Sequence, residues 1–189
     1  TKFEKENCRV IGPSRRKRIA KGSGTSVSDV NKLLKKFEKT IKKHWNEPAV
    51  KDYQQAGVTY GELAAEVEMN HILWCAAGLK RGDKISINAK SCAGWAKTFM
   101  SIVSGGYVGV QLFDGYTPAD TQQLVNHSDS VLLYTEKRLY DNMDIENMPN
   151  LIGVIDVKTG DLLAFRNNFD SIYAKRQQMF NEKHPNGLK

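Results

Sequence analysis

The stretch KISINAKSCAGWAKTFMSIVSGGYVGVQL, residues 84–112, decides the fold of this chain. Its first six residues alternate between apolar and polar side chains, as the residues of a half-buried strand do. A run with Trp95, Phe99 and Ile102 at helical spacing follows, and residues 107–112 end the stretch as a second strand candidate. A strand, a helix and a strand in direct succession predict a right-handed βαβ unit with parallel strands.

The same alternation continues on both sides of this unit. Helices are predicted over residues 61–79, 92–104, 118–127, 137–143 and 168–183, and strands over 58–60, 84–89, 107–112, 131–135 and 151–157. Pro118 suits a first helical turn, and Gly78 or Gly82 suits the end of a helix. Short strands that alternate with helices of this length are typical of a largely parallel sheet. We therefore expect an α/β body over residues 45–189.

The first 44 residues differ from the body in charge. They contain 14 Lys or Arg against 4 Asp or Glu, whereas residues 45–189 contain 14 against 17, and the whole chain has a net charge of +7. A basic segment joined to a mildly acidic body indicates an anionic partner for the basic part.

The cysteine and hydropathy patterns exclude several classes of protein. Cys8, Cys75 and Cys92 form no C-x-x-C pair, and the four histidines show no ligand spacing. We therefore expect neither a metal site nor a disulfide framework, and a reducing cytoplasm fits this usage. An apolar run of about 18 residues does not occur, so we predict no membrane span. The N-terminus is polar, so we predict no signal peptide.

The stretch SRRKRIAKGSG, residues 14–24, is the most cationic part of the chain. A proline before it and a glycine within it predict a short basic helix over residues 13–21. After a Gly-Ser-Gly turn, a second helix is predicted from Ser26, with Asp29 completing an imperfect capping box. The apolar positions of this second helix recur every three or four residues, at Val27, Val30, Leu34, Phe37 and Ile41.

Arginine, glycine and serine in this arrangement suit RNA binding. Arginine forks pair with phosphate oxygens and guanine edges, and glycine lets the backbone approach a partner closely. Serine hydroxyls can reach phosphate or 2′-OH groups. The residues alone leave two alternatives open, because a solvated basic tail or a nuclear-localisation-like patch has the same composition.

The sequence SRRKRIAKGSGTSVSDVNKLLKKF, residues 14–37, resembles the RNA-binding helix-turn-helix in the M domain of the signal recognition particle GTPase. The resemblance covers about residues 3–40. It implies binding to structured RNA, most plausibly signal recognition particle RNA, and not to DNA. The residues that it assigns to RNA contacts are Ser14, Arg15, Arg16, Arg18, Gly22, Ser23 and Gly24. The family's GTPase domain and methionine-lined groove have no counterpart in this sequence, so we do not expect protein targeting as a full activity.

The body resembles a second, unrelated family. VTYGELAAEV (residues 58–67) and GLKRGDKISINAKSCAGW (residues 78–95) are similar to the N-terminal part of adenylate-forming acyl-CoA synthetases, most closely the long-chain fatty-acid ligases. The complete family uses ATP, Mg²⁺ and CoA. Its Ser/Thr/Gly-rich phosphate loop, ribose-binding Asp and catalytic Lys do not occur in this sequence. The resemblance therefore implies no catalytic residue, no cofactor in this chain, and no adenylation by the chain as written.

Several chemically suggestive residues of the body are interpreted as structural. The SGG sequence at 104–106 is interpreted as a tight turn between a helix and a strand, and RGD at 81–83 as a turn before a strand. His71 is interpreted as a residue at the edge of the core. The aromatic residues interpreted as core that faces the sheet are Trp74, Trp95, Phe99 and Tyr107.

The two resemblances meet between Phe37 and Trp45 and predict a division into residues 1–44 and 45–189. The expected fold class is α+β overall, with a basic helical hairpin followed by an incomplete α/β body that has a mainly parallel sheet. A recombined or frameshifted gene, a synthetic chimera and a misassembled reading frame all remain open as origins, and the rest of a ligase is a possible partner. In a further alternative neither half functions, because a truncated sheet has an unpaired edge.

Overall fold

The structure is a computed structural model that describes residues 17, 20, 21, 24 and 26–188, with no side chain described at 30, 31, 33, 34 and 37. Its bounded helices are α1 (Val27–Lys43), α2 (Tyr60–Ala76), α3 (Ala93–Gly105), α4 (Pro118–His127), α5 (Lys137–Tyr140), α6 (Phe169–Ala174) and α7 (Arg176–Lys183), with a 3₁₀ turn at Ile145–Asn147. Its strands are β1 (Pro48–Val50), β2 (Val58–Thr59), β3 (Lys84–Asn88), β4 (Val108–Leu112), β5 (Ser130–Thr135), β6 (Gly153–Asp156) and β7 (Leu162–Phe165).

Five strands form one sheet in the order β4-β3-β5-β6-β7. β3 pairs in parallel with β4 and with β5, and β5 pairs in parallel with β6. β7 runs antiparallel to β6 at the edge of the sheet. The α+β class and the mainly parallel sheet that the sequence predicts are confirmed. The chain leaves β3 for β4 on one side and returns to β5 on the other, as in a doubly wound sheet.

The sheet separates two hydrophobic cores. Leu132 and Ile155 pack into the core beneath α2, α3 and α6, whereas their neighbours Leu133 and Val154 pack into the core beneath α4. This alternation follows from the two-residue period of a strand, and it covers both faces of the central strands with apolar side chains.

Trp74 on α2 is the largest side chain that is completely buried. Its ring packs edge-on against Tyr107, with centroids 5.0 Å apart, and against Tyr134, with centroids 6.2 Å apart. Its Nε1 donates a hydrogen bond to Tyr134 Oη at 3.0 Å. Trp95 and Phe99 stack on each other and lie half-buried at the margin of the same core. The interpretation of these aromatic residues as core is confirmed.

Glycines end the two long helices of the body. Gly78 follows α2 with φ +83°, and Gly106 caps α3 with φ +87°. Both lie in the left-handed region that favours glycine at a helix end. The SGG sequence is thus a helix cap that turns the chain into β4, as predicted.

The structure differs from the predicted elements in three places. β1 lies before residue 58, where no strand was predicted, and it pairs with β2 in a small antiparallel sheet. β7 is a strand that the sequence did not predict. The predicted last helix is divided at Lys175, where the chain bends so that α7 lies along α2. Glu68 of α2 holds the end of α7, since its Oε1 lies 3.0 Å from Lys183 Nζ.

Candidate nucleic-acid interface

Within the stretch of residues 14–24, the structure describes four residues. Lys17, Ala20 and Lys21 are helical, and both lysines are exposed while Ala20 is buried. Gly24 lies in an exposed turn with φ +66°, a conformation that favours glycine. A Cβ added at Gly24 would meet no heavy atom within 4 Å, so the turn is open on its outer side.

The remaining predicted RNA contacts are not in the described part of the chain. They are Ser14, Arg15, Arg16, Arg18, Gly22 and Ser23. The predicted helix over residues 13–21 is likewise described only at Lys17, Ala20 and Lys21. The assignment of these residues to RNA contacts stays a prediction.

Helix α1 begins at a reciprocal cap. The Ser26 hydroxyl accepts a hydrogen bond from the Asp29 N–H at 3.1 Å, and the Asp29 carboxylate accepts one from the Ser26 N–H at 3.1 Å. The Ser26 hydroxyl also donates to that carboxylate at 2.6 Å. These bonds from Ser26 lower the pKa of Asp29. The predicted helix start and capping box are confirmed.

One side of α1 is a continuous row of lysines, which we call the lysine face. Its members are Lys32, Lys35, Lys36, Lys39, Lys42 and Lys43, and all six are exposed. At about 100° per residue they fall within an arc of about 120°. Lys32 pairs with Asp29 at 3.7 Å and Lys42 with Glu38 at 2.9 Å. The other four form no ion pair with a described residue. The spacing of these lysines is visible in the sequence, but the sequence does not show which of them form ion pairs.

The chain that follows α1 is fixed against the body. Trp45 O accepts a hydrogen bond from the Gly61 N–H at 2.8 Å, and Glu47 O accepts one from the Tyr60 N–H at 3.0 Å. A Cβ at Gly61 would lie 2.6 Å from ring atoms of Trp45, so the indole rests directly on the first turn of α2. The interval between Phe37 and Trp45, where the two resemblances meet, is therefore mostly helix rather than a loose linker.

The N-termini of the three longer helices of the body, α2, α3 and α4, are already occupied by side chains. Glu62 and Asp120 complete the caps of α2 and α4, and Asp52 Oδ1 accepts a hydrogen bond from the first N–H of α3, at Ala93, at 2.8 Å. A triphosphate needs free N–H groups at such a terminus, in a loop that leads from a strand into a helix. The one Gly-Gly pair, at 105–106, instead lies at the end of α3, where carbonyl oxygens face outward.

The described residues suit a metal ion no better than they suit a triphosphate. In this part of the chain, no group of three His, Cys, Asp or Glu side chains is placed to hold an ion. A nucleotide carried with Mg²⁺ would thus find acidic caps where it needs donors, and no cluster of ligands for its metal. The residues described here do not fit ATP and Mg²⁺.

Glu136 is a buried carboxylate at the carboxyl end of β5, with 3% of its surface exposed. It accepts hydrogen bonds from Lys158 Nζ at 2.7 Å, from Arg138 Nε at 3.0 Å and from the Lys90 N–H at 3.1 Å. Burial raises the pKa of Glu136, but these donors outweigh burial and lower it to about 2. A carboxylate so firmly ionised is a clamp between the ends of β3, β5 and β6 rather than an acid or base.

The clamp was not predicted from the sequence. Its signal is an acidic residue directly after a buried strand, at the sheet edge where ligands of α/β proteins bind. Its two basic partners are Arg138, two residues further along the chain, and Lys158, which follows β6. The contacts with Lys158 and with the Lys90 N–H depend on the tertiary fold.

A cleft of about 200 Å³ lies between α2, α3, β6 and α7. Lys97 lies 3.8 Å from Glu66 in this cleft, and the Arg176 guanidinium stacks 3.8 Å above the ring of Tyr173.

The remaining suggestive residues are structural. His71 is buried, and its Nε2 lies 2.8 Å from Ser101 O, so its imidazole joins α2 to α3. RGD forms a turn in which the Asp83 N–H bonds Lys80 O at 3.0 Å. Both interpretations are confirmed.

In the part of the chain that the structure describes, no helix has the length and apolar character to cross a membrane.

Two family models match the chain. A model described as the signal peptide binding domain matches residues 1–57, and a model described as AMP-binding enzyme matches residues 37–185. The matches overlap over residues 37–57, which contain the end of α1 and the contact of Trp45 with α2.

Similar curated proteins fall into the same two groups. The signal recognition particle protein of Aquifex aeolicus is 63% identical over 38 residues, which are 20% of this chain and 8% of that protein. Its counterpart in Bacillus subtilis is 62% identical over 42 residues, 22% of this chain and 9% of that protein. The acyl-CoA ligase sidI of Aspergillus fumigatus is 30% identical over 81 residues, 43% of this chain and 14% of that protein.

Solved structures of ligases share the fold of the body. Coronafacic acid ligase from Pectobacterium brasiliense aligns with a TM-score of 0.61 and 25% identity, over 73% of this chain and 28% of that one. The anthranilate CoA ligase AuaEII aligns with a TM-score of 0.60 and 16% identity, over 72% and 26%. The chain thus spans under a third of each relative's length. Because the AMP-binding model matches well over half of its residues, the chain belongs to the AMP-binding enzyme family, and it carries a second match, to the signal peptide binding domain, at its beginning.

Proposed function

We propose that residues 1–44 bind structured RNA, and that the natural ligand is signal recognition particle RNA. The observation that carries this proposal is the identity of 62–63% to signal recognition particle proteins in a match of about 40 residues. The proposed contacts are Ser14, Arg15, Arg16, Arg18, Gly22, Ser23 and Gly24. DNA is not a proposed ligand.

The described residues support this proposal in two ways. Lys17 and Lys21 are exposed on the helix before the turn, where they add positive charge beside the arginines. Gly24 adds no side chain of its own, and the space that its Cβ would fill is open, so its backbone groups can approach phosphate or base edges. Phosphate contacts set affinity and arginine contacts to bases set specificity.

A gel-shift titration with signal recognition particle RNA tests the proposal. Replacing Arg15 and Arg18 by Ala should raise Kd by about 100-fold, because each specific arginine contact contributes about 1–3 kcal/mol. The matched control replaces Lys51 and Lys80, two exposed lysines of the body, by Ala and should bind as the parent chain does. Unchanged binding by the arginine variant would reject the proposal.

We also propose that residues 45–189 correspond to the N-terminal part of an adenylate-forming ligase of the long-chain fatty-acid type, in a cytoplasmic protein. The match of the AMP-binding model over residues 37–185 supports this assignment. The family uses ATP and Mg²⁺, but acidic side chains occupy the N-termini of α2, α3 and α4 in this body. We therefore propose that the chain does not adenylate a fatty acid by itself and that the rest of a ligase is its partner in that reaction. Pyrophosphate exchange with ATP and fatty acid above the protein-free rate would overturn this.

A further inference from the structure

We propose that the lysine face of α1 is a second RNA-binding surface, which follows the phosphate backbone of a duplex next to the site held by the basic segment. This inference rests on the proposed RNA binding of residues 1–44 and extends it to residues outside the predicted contacts. The ligand chemistry is a row of phosphates, recognised by charge without regard to base sequence.

The geometry of the lysine face suits a linear polyanion. From Lys32 to Lys43 the face is about 16 Å long, at a rise of about 1.5 Å per residue. A duplex presents one phosphate per strand about every 3.4 Å along its axis, so several lysines can meet phosphates of one strand at once. All six side chains are exposed, which leaves their ammonium groups free to reach across a groove or along a backbone.

The charge of this face is not neutralised within the helix. Lys32 and Lys36, Lys35 and Lys39, and Lys39 and Lys43 lie four residues apart, and like charges at that spacing destabilise a helix. Asp29 and Glu38 offset two members only. A polyanion would relieve the repulsion among the remaining four, whereas water and salt only screen it.

An RNA partner suits the face better than a lipid surface does. A helix that lies on a membrane inserts its apolar side, with basic residues around it. In α1 the lysines occupy the side opposite the apolar positions, where Val27 and Ile41 are half-buried. The end of that helix also leads into Trp45, which is held against Gly61. The lysines described on this helix are all exposed, and the face that they form continues from residues already proposed to bind RNA.

The test compares two doubly substituted chains with the same change in net charge on the same helix. Lys35→Gln/Lys39→Gln removes lysines without ion pairs, and Lys32→Gln/Lys42→Gln removes the two paired with Asp29 and Glu38. Kd for signal recognition particle RNA is measured by gel shift at several salt concentrations, and circular dichroism checks that both chains retain their helix.

For Lys35→Gln/Lys39→Gln, the slope of log Kd against the logarithm of the salt concentration should be smaller by about 2. Each lost phosphate contact reduces this slope by about 0.9. The Kd of this variant at low salt should rise about tenfold or more. The second variant should change the slope by less than about 1, since its lysines are already partly neutralised.

A slope for Lys35→Gln/Lys39→Gln equal to that of the unsubstituted chain would overturn the inference. If Arg15→Ala/Arg18→Ala still raises Kd about 100-fold in that case, the proposed function stands and only the lysine face is wrong. If the unsubstituted chain does not bind the RNA, the proposed function fails, and the inference fails with it. Sedimentation with phosphatidylserine vesicles that depends on Lys35 and Lys39, with an unchanged RNA slope, would assign the face to a membrane and also overturn the inference.

Discussion

Helix α1 and the parallel sheet of the body are stabilised by different kinds of interaction. α1 depends on groups within a few residues of one another: the reciprocal cap of Ser26 and Asp29, and the pair of Glu38 and Lys42. The sheet depends on strands distant in sequence and on two cores that exclude water. Local interactions make a helix form quickly but leave it marginal, whereas long-range packing makes a domain cooperative. The molecule thus carries six exposed lysines on a helix whose described side-chain contacts are local.

The largest expected effect on stability comes from removing the Trp74 side chain from the core of the body. Trp74→Ala should lower the free energy of unfolding by about 3–5 kcal/mol, because it opens a cavity and leaves Tyr134 Oη without its donor. Urea unfolding followed by tyrosine fluorescence and circular dichroism measures the change. Tyr53→Ala, at an 88% exposed residue, is the control and should change it by less than about 0.5 kcal/mol. A loss below about 1 kcal/mol at Trp74 would mean that the body does not depend on this core.

The clamp at Glu136 gives the body a free energy of unfolding that depends on pH. The pKa of this carboxyl is lowered from 4.5 to about 2 in the folded chain. Its contribution is therefore fully present above about pH 5 and is lost as pH falls towards 2. Glu136→Gln should cost about 3 kcal/mol of unfolding free energy at pH 7 and much less at pH 3, as urea titrations would show. A cost independent of pH would contradict the ionised clamp, and Glu182→Gln, at an exposed position on α7, is the control.

The smallest effect should be confined to α1. Ser26→Ala removes the cap and should destabilise the helix by about 1 kcal/mol. Amide hydrogen exchange in α1 should therefore accelerate about fivefold while exchange in β3 and β5 stays unchanged, because the cap is local. Ser28→Ala, two residues further along the same exposed turn, is the matched control. Equal acceleration in the sheet would show that α1 and the body unfold as one unit.

The elements that the sequence predicts well are those whose signal is local. The start of α1 at Ser26 follows from a cap and an apolar period, and β3 follows from alternation. β1 and β7 were missed because strands of three or four residues carry no period and exist through their partners, β2 and β6. The bend at Lys175 was missed for the same reason, since the docking of α7 on α2 is not visible in the helical pattern.

In the candidate site, too, the features with a local signal could be predicted from the sequence, and those that depend on the tertiary fold could not. The glycine at 24 could be predicted from turn chemistry, and the structure gives it the left-handed backbone that favours glycine. The clamp at Glu136 could not be predicted, because its donors on Lys90, Arg138 and Lys158 meet only in the folded sheet. The lysine face is intermediate: its spacing is in the sequence, while its exposure depends on which side of α1 meets the body.

The continuity of α1 across the overlap of the two family matches has a mechanical consequence. A helix of 17 residues is a shaft about 25 Å long, in which each residue contributes about 1.5 Å and 100°. Inserting one residue between Lys32 and Lys43 would therefore rotate the N-terminal part of α1, and any RNA bound to it, by about 100° relative to the body. The number of residues in this helix thus fixes the direction in which bound RNA leaves the body as well as its distance from the body.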